Sequence, residues 1–167
     1  ALGLEKMGLL EVLALTTVAG NVSLHNTSKN ACVIADWAGR SDLGVYGGAE
    51  KPLIKTLITA QHVHGHNGLG GMQLHKPKTP LKILHAVAYM VDLLTHAEPY
   101  SITICAVGPL TNIAQMLSLA PEAARGIKEI VIMGGSYFHP GNVTPMAEFN
   151  FYVDPHAAQV VLQAGVP

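Results

Sequence analysis

Residues 101–135 read SITICAVGPLTNIAQMLSLAPEAARGIKEIVIMGG, and this stretch decides the fold class. Its first part, SITICAV (101–107), is a short apolar run with β-branched residues, broken by Gly108-Pro109. It predicts a buried strand. LTNIAQMLSLA (110–120) predicts a helix, and Pro121 opens a further short helix. EIVIMGG (129–135) predicts a second strand ending in a turn.

The same alternation extends in both directions. LEVLALTTV (10–18) predicts a buried strand, bounded by Ala19-Gly20-Asn21. Ala31, Ile34, Ala35 and Ala38 recur at helical spacing, with Ser23 or Asn26 available as a cap and Gly39 as the stop. LGVY (43–46) predicts a short strand, and ILHAVAYMVDLLTHA (83–97) an amphipathic helix. Between them, residues 47–80 are rich in Gly, Pro and His with weak periodicity. So long a loop in a compact domain is functional or carries short helices of its own. PHAAQVVLQAG (155–165) predicts a last helix, with Pro155 in its first turn and Gly165 at its end. Near-continuous apolar strands alternating with helices predict an α/β fold with a mainly parallel central sheet flanked by helices. Ligands in such sheets bind beyond the carboxyl ends of the strands. That places Asn21, Val107-Gly108-Pro109 and Met133-Gly134-Gly135 along one edge.

Composition narrows the function classes. Of 167 residues, 49% are hydrophobic and 13% charged, which excludes a disordered chain and predicts a surface partly covered by further chain or another subunit. A formal net charge of −1 gives no electrostatic footprint for nucleic acid. No apolar stretch is long enough to span a membrane, and the start, ALGLEKMGLLEV, lacks the basic region of a secretory signal. Cys32 and Cys105 lie in apolar runs and read as buried free thiols of a reducing compartment, hence a cytoplasmic protein. The sequence opens like the tail of a helix and stops at QAGVP, where a strand would follow. The expectation is that residues 1–167 are part of one longer domain.

Three segments carry candidate chemistry. In QHVHGHNGLGG (61–71), an extended chain would put His62, His64 and His66 on one face, a possible zinc site. The alternatives are one His reaching into a pocket, or solvated surface histidines. The Gly-rich GLGG and GGAE lack the spacing of a phosphate-binding loop, and no nucleophile elbow occurs. GPLTN (108–112) reads either as a site element or as a strand–helix turn capped locally by Thr111 or Asn112. GNVTPMAEFN (141–150) places Asn142, Glu148 and Asn150 in a segment otherwise suited to burial. Burying Glu without partners costs several kcal/mol, so these groups pair with each other or with a polar ligand. Read as extended chain, Glu148 and Asn150 point to one side while Phe149 and Phe151 point to the other. Amides with a carboxylate suit sugar hydroxyls, each of which donates and accepts.

TTVAGN (16–21), HVHG (62–65), VGPLTNIA (107–114), EIVIMGG (129–135), GNVTPMAEFN (141–150) and VDPHAA (153–158) occur in order along the chain. Together they resemble the successive signatures of the nucleoside hydrolases, the inosine–uridine preferring ribohydrolase family. The resemblance implies a Rossmann-like α/β domain, usually assembled as a homodimer or homotetramer. It implies hydrolysis of the N-glycosidic bond of a ribonucleoside to ribose and free base, with one bound Ca²⁺. By position, Val107 matches the residue whose carbonyl binds Ca²⁺. Asn21 matches a pocket Asn close to the ribose and the attacking water. Asn142, Glu148 and Asn150 match the groups holding the ribose hydroxyls, with Glu148 and Asn142 toward the 5′ end. Met133 matches a residue beside the ribose, and His64 a catalytic His near the leaving base.

The departures are specific. The family's Asp-rich opening signature, DxDPGxDDA, would lie before Ala1, and its late His–Asp pair beyond Pro167. The first supplies most Ca²⁺ ligands and the general base, so the chain alone is expected to be inactive. His66 and Gly70 stand where family members carry an acidic residue and an Asp. Two other readings remain at this point: a family relative that binds nucleosides or ribose without hydrolysis, and a zinc hydrolase built on the three histidines.

Overall fold

The computed structural model describes residues 1–167. A one-turn helix α1 (Leu2–Lys6) leads to strand β1 (Ala14–Thr17), helix α2 (Leu24–Trp37) and strand β2 (Gly44–Gly47). A long loop then carries the single turn α3 (Gln61–His64) and the two-residue strand β3 (Leu81–Lys82). The second half runs through α4 (Ala86–His96), β4 (Ile102–Ala106), α5 (Thr111–Leu119), a 3₁₀ segment (Pro121–Gly126), β5 (Ile127–Ile132), α6 (Phe149–Val153) and α7 (Pro155–Leu162). The fold is α/β with parallel strands flanked by helices. No helix is long and apolar enough to cross a membrane.

Every strand pair is parallel. β1 pairs with β2 from Ala14↔Gly44 to Thr17↔Gly47, and β2 with β3 through Val45↔Leu81. β4 pairs with β5, with a bulge between Ile102 and Thr103. The pairing falls into a three-stranded group, β1-β2-β3, and a two-stranded group, β4-β5. No backbone ladder joins β1 to β4.

Amphipathic helices explain the core. α4 buries Ala86, Val87, Met90 and Leu94, positions that share one face at 3.6 residues per turn. Val87, Met90 and Leu94 meet Leu110, Ile113, Ala114 and Leu117 near α5, and Ala157, Ala158 and Val161 of α7. Tyr46 of β2 stacks on Tyr89 of α4, centroids 3.9 Å apart, which packs α4 against the first strand group. Ser23 sits at the N-cap position of α2 but makes no side-chain capping bond, and Gly39 ends the segment at φ +75°. Pro155 takes the first turn of α7.

Two expectations change. Cys32 is buried and its thiol is pushed up by desolvation, but Cys105 is exposed. The helices of this chain cover only one face of β4-β5, so Thr103, Cys105 and Val131 on the other face stay open. The segment 148–153 is not extended. It is the short helix α6, because Glu148 caps it. The Glu148 carboxylate accepts from the backbone N–H groups of Asn150 and Phe151, which overrides the strand preference of Phe149, Phe151 and Val153.

Candidate functional site

The carboxyl ends of β1 and β4 face a cavity of about 240 Å³, lined by residues 16–18, 20–21 and 104–109 together with Thr27, Asn112, Ile113 and Asn150. Asn21, Val107 and Asn150 therefore meet in one place, although 129 residues (150 − 21) separate the first from the last. Asn21 follows β1, and its carbonyl accepts from Ala60 N–H at 2.9 Å, which anchors the root of the loop carrying α3. Val107 follows β4 directly. Its carbonyl accepts no hydrogen bond from the protein and is free toward a ligand.

Asn150 lies in the first turn of α6 and is buried. Its Nδ2 donates to the Met133 carbonyl at 2.9 Å and reaches the Met133 sulfur at 3.2 Å. Its Oδ1 accepts nothing from the protein. Met133 closes the end of β5 by donating its N–H to Ala106 at 2.8 Å, and its side chain is half exposed. Met133 thus touches the cavity through Asn150.

Glu148 faces different space. Helical winding at α6 turns it away from Asn150 and into a cavity of about 560 Å³ with Lys55, Gly134, Gly135, Tyr137 and Met146. A neighbouring cavity of about 310 Å³ brings Glu148 together with Asn142. Gly135 N–H donates to Glu148 Oε2 at 3.1 Å, and Phe149 N–H to Asn142 Oδ1 at 2.8 Å. The one-sided pairing of Glu148 with Asn150 read from an extended chain is therefore replaced by two groups on either side of the Met133-Gly134-Gly135 turn.

His64 ends α3 and lines none of these cavities. The zinc reading needed His62, His64 and His66 on one face of an extended run. A helical turn sets His62 and His64 about 200° apart, and Gly65 at φ +75° redirects the chain before His66. No group of three or more His, Cys, Asp or Glu side chains is arranged to hold a metal ion. The loop is organised by Asn67, whose Oδ1 accepts from Leu69 and Gly71 N–H and whose Nδ2 donates to the Met72 carbonyl. That closure needs neither an acidic residue at 66 nor an Asp at 70.

The family profile of the inosine-uridine preferring nucleoside hydrolases matches residues 2–167. The chain belongs to this family. It is 44% identical over 153 residues to an inosine-uridine preferring nucleoside hydrolase of Leishmania major, covering 91% of this chain and 48% of that protein. It is 46% identical over 158 residues to the pyrimidine-specific ribonucleoside hydrolase RihA of Citrobacter koseri, covering 95% and 50%. Among solved structures, the purine-preferring ribonucleoside hydrolase from Gardnerella vaginalis superposes with a TM-score of 0.88 at 30% identity, over 94% of this chain and 51% of that one. The chain spans about half the length of the curated relatives it matches.

Several polar residues that shape this nucleoside hydrolase chain escaped sequence reasoning. Asp154, fully buried, accepts from Leu53 N–H at 2.9 Å, Thr111 Oγ1 at 2.7 Å and Ala157 N–H at 3.0 Å. Thr111 is thus no local cap. Lys55 donates to the Tyr152 carbonyl at 2.6 Å and lies 4.0 Å from the centroid of the Tyr152 ring, docking the 53–55 loop on α6. Asp36 accepts from the Thr79 hydroxyl, the N–H groups of Lys78 and Thr79, and His75. Those donors, the Thr79 hydroxyl foremost, hold its carboxyl well below the usual range and pin the 75–79 loop to the end of α2. The only sequence signal was position: Asp154 precedes a Pro at a helix start, and the partners of Asp36 lie about forty residues on.

Proposed function

We propose that the protein hydrolyses the N-glycosidic bond of ribonucleosides to ribose and free base, and that this chain forms the sugar-holding wall of a site completed by the rest of a single domain. One observation carries the reading: Asn21, Val107 and Asn150 line one cavity beyond the carboxyl ends of two parallel strands in a chain of this family.

In this reading Asn21 and the free Oδ1 of Asn150 hold ribose hydroxyls in the 240 Å³ cavity. Glu148 and Asn142 take the 5′ end, and Met133 packs beside the sugar. Their hydrogen bonds strengthen as the ribose gains oxocarbenium character, so binding is directed to the transition state. The unpartnered Val107 carbonyl fits a hard cation, because Ca²⁺ takes oxygen ligands irrespective of side chain. Such a cation lowers the pKa of bound water and polarises the oxygens it holds. One carbonyl does not hold it alone, so the other ligands come from outside this chain. His64 is four residues past the Ala60 anchor on Asn21, in a loop suited to meet the leaving base. The two unpaired thiols suit the cytoplasm. Exposed Ile83, Tyr137, Phe138 and Met146 are apolar surface for the rest of the protein or a second subunit to cover.

The second reading is a nucleoside or ribose binder. The side chains of this chain that line the 240 Å³ cavity bring no carboxylate, His or Lys, so hydrolysis depends on proton-moving groups outside this chain, and without them the cavity only binds. The test is a full-length protein incubated with inosine, uridine and other ribonucleosides, with and without chelator. Hydrolysis expects free base and ribose, lost on chelation and restored by Ca²⁺. Binding by calorimetry with no base released at any metal concentration overturns the hydrolase reading in favour of the binder.

A further inference from the structure

Asn112 lies in the first turn of α5, is buried, and uses both ends of its amide on distant backbone. Oδ1 accepts from Ala49 N–H at 2.8 Å, and Nδ2 donates to the Thr17 carbonyl at 2.9 Å, partners 63 and 95 residues away in sequence. It is therefore not a helix cap. The two backbone groups belong to one weave: Gly48 N–H also donates to Thr17, and Ala19 N–H donates to Ala49. A single side chain thus joins the end of β1, the turn after β2 and the start of α5.

That junction matters because β1 and β4 belong to different strand groups. No ladder fixes the distance between their ends. Asn21 comes four residues after Thr17, Val107 five before Asn112, and all three residues Asn21, Val107 and Asn112 line the same cavity. The fit leaves little slack. A Cβ on Gly48 would lie 2.2 Å from Asn112 Oδ1, and one on Gly20 would lie 2.9 Å from Cδ of Pro109. We infer that Asn112 is a positioning residue: it sets the separation of Asn21 and Val107 across the cavity, and so the geometry in which the sugar is held. This rests on the ribonucleoside reading. Only an amide supplies one acceptor and one donor at this site. Asp would present a carboxylate oxygen to the Thr17 carbonyl.

The test uses the full-length protein with Asn112→Asp and, as a control, Thr111→Val. Thr111 is the neighbouring residue and equally buried, but it bonds Asp154 rather than β1. Activity on inosine and uridine is measured at a temperature where circular dichroism shows every variant folded, and crystal structures give the Asn21–Val107 separation. Asn112→Asp is expected to lose about 10- to 100-fold in kcat/KM and to move the two residues by about 1 Å, since misplacements of that size carry such losses. Thr111→Val is expected to lower Tm and keep kcat/KM within about twofold. The inference is overturned if Asn112→Asp leaves the separation unchanged, or if Thr111→Val loses as much kcat/KM. If Asn112→Asp does not fold, Asn112→Ser, too short to reach both partners, carries the same comparison. Wild-type protein that releases no base sinks the hydrolase reading alone, because the crystallographic separation still decides the role of Asn112.

Discussion

Replacing Glu148 by Gln in the full-length protein tests folding and sugar binding with one atom. The carboxylate is buried and receives three backbone donors: Asn150 N–H at 3.0 Å from both oxygens, Gly135 N–H at 3.1 Å and Phe151 N–H at 3.3 Å. Gln keeps its oxygen at the Oε2 position, where all three donors converge. Its NH₂ then takes the Oε1 position and faces the Asn150 N–H, donor against donor. Bonds to a charged acceptor contribute about 1.5–3 kcal/mol and neutral ones about 0.5–1.5, so neutralising this acceptor costs about 1 kcal/mol per strong bond. Two strong bonds, with partial loss of the cap, make a total of about 2–3 kcal/mol. A five-residue helix has no independent stability to absorb the loss. A carboxylate has about four lone-pair sites. Three are occupied by the backbone, which leaves one on Oε1 for a sugar hydroxyl. Gln offers a donor there instead, so KM for inosine or uridine is expected to rise by more than kcat falls. Urea unfolding and steady-state kinetics read the two effects. An unchanged unfolding midpoint refutes the capping argument, and unchanged kinetics on both nucleosides refutes the assignment of Glu148 to the sugar.

Asp154→Asn puts an NH₂ among three donors in a site with no solvent access, and a loss of about 3 kcal/mol in urea unfolding is expected. Asp36 has a folded pKa depressed by the Thr79 hydroxyl and its neighbours, so its contribution is present above the ordinary carboxylate value of about 4 and is lost as pH falls toward the folded value. Tm is therefore expected to drop on acidification below about pH 4, and Asp36→Asn to flatten that part of the curve. Gly48→Ala drives a methyl to within 2.2 Å of Asn112 Oδ1, and a loss of about 1–3 kcal/mol with reduced kcat/KM is expected.

The strand–helix alternation was legible because its signals are local. Apolar runs bounded by Gly108-Pro109 and Gly134-Gly135 correspond to β4 and β5, although the first strand occupies only the last part of the run 10–18. The failures share one cause. Whether 148–153 forms strand or helix depends on a carboxylate turning back on its own backbone and on the Gly135 amide, thirteen residues away. Asn112 resembled a cap because a cap is the local use of Asn at a helix start. Its real partners lie at the ends of β1 and β2, in the other strand group and 63 and 95 residues away in sequence. The histidines of 62–66 alternate in sequence, but periodicity does not fix conformation in a loop that Asn67 and its glycines close. The family resemblance names Asn21, Met133, Asn142, Glu148 and Asn150 from motif alone; which cavity each of them faces is set by the fold and was not legible.

Counting unused hydrogen-bonding atoms sorts these residues by what each is able to do. Asn112 has none to offer, since both ends of its amide are engaged by backbone, so its influence on a ligand must pass through the groups it holds. Asn150 gives its NH₂ to Met133 and keeps an acceptor, whereas Asn142 gives its oxygen to Phe149 and keeps its donors. The side chain of Asn21 makes no hydrogen bond to the protein and keeps both. A ribose hydroxyl needs a donor and an acceptor at once, and these leftovers are complementary in that sense across the two sides of the 133–135 turn. Asn150 is buried, Asn21 half-buried and Asn142 exposed, so the atoms they leave unused border open cavities at no burial cost and stay available to a polyhydroxylated ligand.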